Sequence, residues 1–200
     1  MTVATEPLVT ATAPQVASHW TNDLLQLMPQ VVGERYEIID GELHVTRQPH
    51  SRHQMTVDNI GFELTSWSRT TLLGRVVSAP GVIYADDESV VPDLVWVRGD
   101  RLATIFDQSG HFRESPDLVI EILSASNADA ERDREKKMAL YSRQHVQEYW
   151  IVDWRAETVE IYRHDQQTLV PIATLQRAAT ITSPLLPGFS CVVSQFFVVL

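Results

Sequence analysis

Residues 116–124 read PDLVIEILS, and within them 118–123 form a nearly continuous run of β-branched and aliphatic residues that a single acidic side chain, Glu121, interrupts. Such a run is typical of a central strand that is covered on both faces of a sheet. Glu121 therefore falls where an ionised carboxylate is costly, unless a cation or a metal ion accompanies it. The stretch predicts the middle strand of a layered fold and provides its first candidate functional residue.

The sequence on either side predicts helices interleaved with strands. Asp40-Gly41 separates two β-prone segments, 36–39 and 42–45, and favours a two-residue type I′ hairpin turn. Apolar spacing predicts helices at 18–28 and 53–73, and Ser126 with Asp129 resembles a capping box that opens a charged helix at 128–146. Further strands are predicted at 75–79, 82–85, 94–97, 147–152, 158–162 and 169–175. This order indicates an α/β or α+β fold, with a mixed central sheet flanked by helices.

Composition is that of one globular domain. The chain has 200 residues, 44% of them hydrophobic and 21% charged, which is unlike a disordered protein. We expect a flexible tail over 1–17 and a single domain over 18–200, in which Pro184, Pro187 and Gly188 predict an irregular end. No apolar run approaches the roughly 18 residues of a membrane span. A single cysteine and the lack of a secretory signal favour a cytoplasmic location.

The charge balance bears on the choice of partner. The chain carries 26 acidic against 16 basic side chains, a net charge of -10, which disfavours sequence-independent attraction to nucleic acid. Eight of the basic residues fall between Arg98 and Arg143, and five of these lie on 132–143. The segment 132–143 is therefore where we expect contacts with phosphate groups.

Three carboxylates fall on segments that otherwise read as buried strands, namely Asp93, Asp117 and Glu121. Asp117 and Glu121 share a strand but stand roughly 13 Å apart, at about 3.3 Å per residue, so they do not hold one small ion together. Asp93 begins a different strand, and neighbouring strands lie only about 4.8 Å apart. We therefore pair Asp93 with Glu121 and predict a local turn contact for Asp117.

The chain contains two lysines, Lys136 and Lys137. Asp133, Lys137 and Tyr141 follow a helical spacing of four, which aligns them on one face. A lysine on that face could reach Glu121, although the segment also reads as a solvated helix with ordinary charge pairs. Two carboxylates and a lysine suit phosphodiester hydrolysis, with the acids binding Mg²⁺ and the lysine positioning the attacking water or stabilising the transition state.

Five ordered segments carry a resemblance to a known family: RYEIIDGEL (35–43), VPDLVWV (91–97), PDLVIEILS (116–124), DREKKMALY (133–141) and EYWIVD (148–153). Together they resemble the Uma-two family of restriction-endonuclease-like proteins, within the PD-(D/E)XK nuclease superfamily. The resemblance covers roughly 20–192. It implies a restriction-endonuclease-like core with an N-terminal helix and β-hairpin, and a Mg²⁺ or Mn²⁺ site in which Asp93 and Glu121 are the metal-binding acids.

The sequence departs from the superfamily pattern at one position. The lysine expected two residues after the second acid is Leu123 here, and the resemblance assigns its catalytic role to Lys137 instead. Glu37 and His53 also match recurrent family positions. Either could complete the metal shell, but Glu37 could equally cap the hairpin, and His53 could begin a helix without a chemical role.

Three functions remain open at this point. The first is a Mg²⁺-dependent endonuclease acting on DNA, for which the resemblance makes a homodimer an expectation. The second is a catalytically silent member of the same fold that binds nucleic acid or a protein partner. The third is another hydrolase that uses the two carboxylates as acid and base, as glycosidases do.

Overall fold

A computed structural model describes residues 19–29, 31–124 and 133–197 of the chain. The predicted tail over 1–17 and the predicted capping pair, Ser126 and Asp129, lie outside the described residues. None of the described helices is both long and apolar enough to cross a membrane.

The described elements follow the predicted alternation of helices and strands. The helices are α1 Asn22–Gln26, α2 Ser51–Thr71, α3 Leu102–Ile105 and α4 Met138–Arg143, and a π-helical turn, Asp133–Lys137, leads directly into α4. The strands are β1 Arg35–Ile39, β2 Glu42–Thr46, β3 Gly74–Ser78, β4 Val82–Ala85, β5 Glu88–Val90, β6 Leu94–Arg98, β7 Leu118–Ile122, β8 Glu148–Asp153, β9 Thr158–His164, β10 Leu169–Gln176, β11 Thr180–Ser183 and β12 Leu186–Val192.

The central sheet has six strands in the order β10-β9-β8-β7-β6-β3. β7 is parallel to β8 and antiparallel to β6, so the sheet is mixed. All five residues of β7 are buried, which confirms the predicted central strand. The predicted α+β fold with a mixed central sheet is confirmed as well.

Two hydrophobic clusters cover the two faces of this sheet. Leu118, Ile120 and Ile122 of β7 pack with buried residues of α2 and of the β11-β12 hairpin. Val119 packs on the opposite face with buried residues of α4, β1 and β5. Because successive side chains of a strand alternate between faces, Glu121 faces the second cluster.

The predicted hairpin is present and opens a smaller sheet. Asp40 and Gly41 both have positive φ, 52° and 73°, as the central residues of a type I′ turn require. The smaller sheet has the order β2-β1-β5-β4. Its strand β5 was not predicted, because three residues are too few for an alternating pattern to appear.

Two expectations need correction. The N-terminal helix is limited to α1, which buries none of its residues, and Leu27 beyond it is 82% exposed, so the apolar spacing over 18–28 does not mark a core face. The irregular end is instead the hairpin β11-β12. Pro187 and Gly188 lie between the paired residues Leu186 and Cys191, where the register shifts, so the proline removes no hydrogen bond of a regular ladder.

Candidate functional site

The candidate site lies where β6 begins and β7 ends. Leu94 pairs with Ile120 across these antiparallel strands, and continuing the register by one residue sets Asp93 opposite Glu121. Residues directly opposite each other in an antiparallel pair share a face, with Cβ atoms about 5 Å apart. The pairing of Asp93 with Glu121 that the sequence predicts is therefore present in the fold.

Asp93 is 4% exposed and contacts three other segments. Its Oδ1 accepts a hydrogen bond from Arg35 Nη1 at 3.0 Å, and its Oδ2 accepts one from the backbone N–H of Ile122 at 2.9 Å. His53 Nε2 lies 3.3 Å from the same Oδ2. The carboxylate is thus fixed by a neighbouring strand, by β1 and by the first turn of α2.

These contacts decide the charge state of Asp93. Burial by itself raises the pKa of the carboxyl group, but the hydrogen bond and charge of His53, the Arg35 guanidinium and the Ile122 N–H outweigh burial and hold the pKa well below its usual range. Asp93 is consequently an anion at neutral pH.

Glu121 is 2% exposed, and its carboxylate is contacted by side chains of the π-helical turn and of α4. Its Oε1 accepts hydrogen bonds from Lys137 Nζ at 2.7 Å and from the Tyr141 hydroxyl at 2.9 Å. Burial, followed by the negative charge of Glu121, raises the pKa of Tyr141 well above its ordinary value, so the phenol keeps its proton and remains a donor.

Glu37 joins the same network. Its Oε1 accepts the backbone N–H of Val91 at 2.9 Å and lies 3.1 Å from Lys137 Nζ. The Lys137 ammonium, 1% exposed, therefore bridges the carboxylates of Glu37 and Glu121. His53 lies in the first turn of α2, and the contact of its Nε2 with Asp93 makes it part of the site as well.

The backbone around Lys137 explains how it reaches the sheet. Lys137 ends the π-helical turn and Tyr141 follows it on α4, and both side chains meet Glu121. This agrees with their predicted common face, although the Asp133 side chain lies outside what the structure describes. Such π-helical turns inside helices are frequent at functional sites.

Two site residues, Arg35 and Tyr141, have roles that the sequence patterns do not predict. Arg35 stands two residues before Glu37 on β1, so the two side chains share a face of the strand. That spacing was a usable signal, but an arginine at the start of a hairpin usually faces solvent. Tyr141 was aligned with Lys137 by spacing, yet a tyrosine at such a position is most often a core residue.

The structure does not support two other predictions. Asp117 has a structural position, but its contacts are not local: Oδ2 accepts the Arg98 N–H at 2.9 Å, and Arg101 lies 3.0 Å from Oδ1. The expectation of phosphate contacts along 132–143 is not supported by the described side chains. Lys137 is buried, and the remaining described cations of the segment pair with acidic side chains: Arg134 with Glu160, Lys136 with Glu42, and Arg143 with Asp40 and Glu88.

The donor chemistry of the site suits a hard divalent cation. Mg²⁺ takes one or two carboxylates and keeps several waters, and Asp93 with Glu121 supplies two carboxylates on one face of neighbouring strands. Within the described ranges, no three Asp, Glu, His or Cys side chains are arranged to hold one ion together. The residues thus fit a Mg²⁺ ion with two protein ligands and do not form a cage made only of protein groups.

Comparison with known proteins defines the class and the family. A crystal structure described as "a putative nuclease belonging to DUF820 from Anabaena variabilis ATCC 29413" has the same fold, with a TM-score of 0.70 at 20% identity over 88% of this chain and 97% of that chain. The class is therefore an α+β protein with a mixed central sheet and this nuclease-like fold. The chain belongs to the Uma2 family, described as "Putative restriction endonuclease", whose model matches residues 22–194. This confirms the predicted family. A comparison with curated proteins found no match.

Proposed function

We propose that the chain is a metal-dependent nuclease that hydrolyses phosphodiester bonds in DNA, with Asp93, Glu121 and Lys137 as its catalytic residues. The observation that carries the proposal is the convergence of these three side chains, which come from three separate elements, in a chain whose family supports a nuclease. Buried carboxylates of neighbouring strands beside a lysine match the needs of phosphate chemistry.

Asp93 and Glu121 would hold a Mg²⁺ or Mn²⁺ ion. When bound there, such an ion lowers the pKa of a water molecule and stabilises the charge that develops on a phosphate. His53 and the Ile122 N–H orient Asp93, because both contact Oδ2 and restrict the carboxylate to one rotamer. Tyr141 orients Glu121 in the same way, through its retained proton.

Lys137 has two tasks in this proposal. Its ammonium offsets the repulsion between Glu37 and Glu121, which it approaches at 3.1 and 2.7 Å. It also places a proton donor beside the acid that would bind the ion, where it can position a water molecule or stabilise an oxyanion. Only the position of the ammonium matters for this chemistry, so a lysine on the helical segment can replace one on the strand.

A second candidate function is a catalytically silent protein of the same fold that binds DNA or a protein. One observation favours it: Arg35 and Lys137 pair with all three carboxylates. These ion pairs compensate part of the negative charge of the site with groups of the protein itself.

Plasmid cleavage separates the two candidates. Supercoiled plasmid is incubated with wild-type protein and Mg²⁺ or Mn²⁺, and nicked and linear products are measured on a gel. We expect metal-dependent cleavage that falls at least about 100-fold in Asp93→Asn and Glu121→Gln, a loss typical of removing one electrostatic catalytic group. Lys137→Arg, which keeps the charge but moves it, should fall as well. Linear product formed without accumulation of nicked circles would support a homodimer acting on both strands.

Asp117→Asn is the matched control, because it removes a buried carboxylate at the other end of β7. It should cleave at the wild-type rate once thermal unfolding shows that it is folded. Cleavage that persists in Asp93→Asn and Glu121→Gln would refute the assigned site. A wild type that binds DNA and does not cut it with either metal ion would establish the silent function.

A further inference from the structure

One cation of the site differs from the others in its access to solvent. The Arg35 side chain is 32% exposed, whereas Lys137 is 1% exposed and His53 7%. Among the described site residues, Arg35 is therefore the positive group that an anion arriving from solvent can meet. Lys137 is enclosed between the two carboxylates that it bridges.

The contacts of Arg35 are few and can be exchanged. Its Nη1 donates to Asp93 Oδ1 at 3.0 Å and to the carbonyl oxygen of Val91 at 3.1 Å. Burial alone lowers the pKa of the guanidinium, but the nearby charges of Asp93, Glu121 and Glu37 raise it above its usual value, so Arg35 stays charged. The planar group has five N–H donors and pairs well with phosphate.

Asp93 needs a positive partner whichever state the site is in. A buried carboxylate without one is costly, and the Arg35 guanidinium supplies that partner at 3.0 Å. A divalent cation on Asp93 and Glu121 would meet the same need with two charges in place of one. The Arg35 charge would then no longer be needed to neutralise Asp93.

We propose that Arg35 exchanges partners: it neutralises Asp93 in the metal-free protein, and when a divalent cation takes over that carboxylate it contacts a phosphate of the substrate. The proposal rests on the nuclease function proposed above and adds a substrate-binding residue to it. It also makes the cation and the nucleic acid cooperative ligands, because binding of the first frees a contact for the second.

Two binding measurements on Arg35→Gln test the exchange without relying on activity. Mn²⁺ affinity, followed by isothermal titration calorimetry, should rise at least about fivefold, because a charge that competes for Asp93 is removed. Affinity for a short DNA duplex is measured by fluorescence anisotropy at several salt concentrations, with Ca²⁺ and without divalent ions. With Ca²⁺, the slope of log affinity against log salt should be shallower than in wild type by about 0.9, the loss of one phosphate contact. Without divalent ions the two slopes should agree.

Arg69→Gln is the control for the loss of one positive charge. Arg69 is exposed and lies 16 residues after His53 on α2, which places it about 24 Å away along the helix. It should leave the Mn²⁺ affinity unchanged and should alter DNA binding equally with and without Ca²⁺. Arg35→Lys keeps the charge and should retain the Ca²⁺-dependent slope. It therefore tests the exchange even if Arg35→Gln folds poorly.

Unchanged Mn²⁺ affinity in Arg35→Gln overturns the exchange, and so does an equal salt slope in wild type and variant with Ca²⁺ present. If the wild type binds Mn²⁺ and DNA and only the Arg35 predictions fail, the proposed nuclease function is untouched. If the wild type binds neither Mn²⁺ nor DNA, the proposed function fails, and the exchange fails with it.

Discussion

Glu121 of β7 and Glu148 of β8 are buried carboxylates on neighbouring strands, and they differ in how their negative charges are compensated. Glu148 is 1% exposed and has its own cation: Oε2 accepts from Arg163 Nε at 2.6 Å and from Ser183 Oγ at 2.9 Å, and Oε1 accepts from Trp150 Nε1 at 2.6 Å. Glu121 instead shares Lys137 with Glu37.

The difference lies in the ratio of charges. In the described part of the site, three carboxylates (Glu37, Asp93 and Glu121) face two permanent cations, Arg35 and Lys137. The Glu148 cluster pairs one carboxylate with one arginine and satisfies both oxygens with neutral donors as well. An excess of buried negative charge lowers the stability of the folded state and favours the binding of a cation. A cluster with balanced charges stabilises the folded state instead.

The comparison predicts its largest effect at Lys137. Lys137→Met keeps the length of the side chain but leaves Glu37 and Glu121 buried without the ammonium that joins them, so the free energy of unfolding should fall by about 3–5 kcal/mol. Urea denaturation provides the measurement. Lys136→Met is the control, because Lys136 and its partner Glu42 are 42% and 63% exposed, and such a pair contributes little. Equal losses in the two variants would contradict the account.

Glu148→Gln should have the next largest effect. The change leaves the Arg163 guanidinium without its anionic partner and should lower the free energy of unfolding by about 3 kcal/mol, slightly moderated because Arg163 is 29% exposed. The same urea titration measures it, with Glu42→Gln as the exposed counterpart. A loss below about 1 kcal/mol, as expected of an exposed pair, would show that the cluster is not structural.

Asp93 should be visible in the pH dependence of stability. Because its pKa in the folded protein lies below the unfolded value of about 3.9, its contribution is complete above that pH and is lost as the pH falls through the folded pKa. Between about pH 5 and pH 2, wild type should lose stability more steeply than Asp93→Asn, by up to about 1.4 kcal/mol per pH unit. Unfolding curves recorded at stepped pH give the two slopes, and parallel slopes would contradict the ionised state assigned to Asp93.

Glu121→Gln should have the smallest effect on stability. Lys137 keeps its contact with Glu37, and the amide oxygen of glutamine can still accept the Tyr141 hydrogen bond, so the free energy of unfolding should change by less than about 1 kcal/mol. Thermal and urea unfolding in metal-free buffer test this. A loss as large as that of Glu148→Gln would erase the distinction between the two clusters.

Much of the fold was predictable because its elements carry local signals. The turn at Asp40-Gly41, the stripe of α2 and the apolar run of β7 each determine an element from a few neighbouring residues. The hairpin β11-β12 carries the opposite signal, since proline and glycine usually interrupt strands. Its irregular ladder tolerates them, and a sequence pattern does not reveal that tolerance.

The candidate site was predictable where burial and charge conflict within one segment. Asp93 and Glu121 stand out because they interrupt strands that read as buried, and Lys137 stands out because the chain has so few lysines. Arg35 could not be found in this way, because its partner Asp93 is 58 residues away and the two meet only where the smaller sheet, which contains β1, approaches the start of β6. Whether these residues catalyse a reaction remains a prediction for experiment.

The stabilisation that a divalent cation gives to three proteins, wild type, Glu121→Gln and Glu148→Gln, tests the central claim most directly. At about a 100-fold excess over its dissociation constant, a cation that binds only the folded state adds about 2.7 kcal/mol to the free energy of unfolding. Measured with Mg²⁺ against a metal-free control, this gain should appear in wild type and in Glu148→Gln and should be lost in Glu121→Gln. An equal gain in all three proteins, or none in wild type, would contradict the assignment of Glu121 to a cation site.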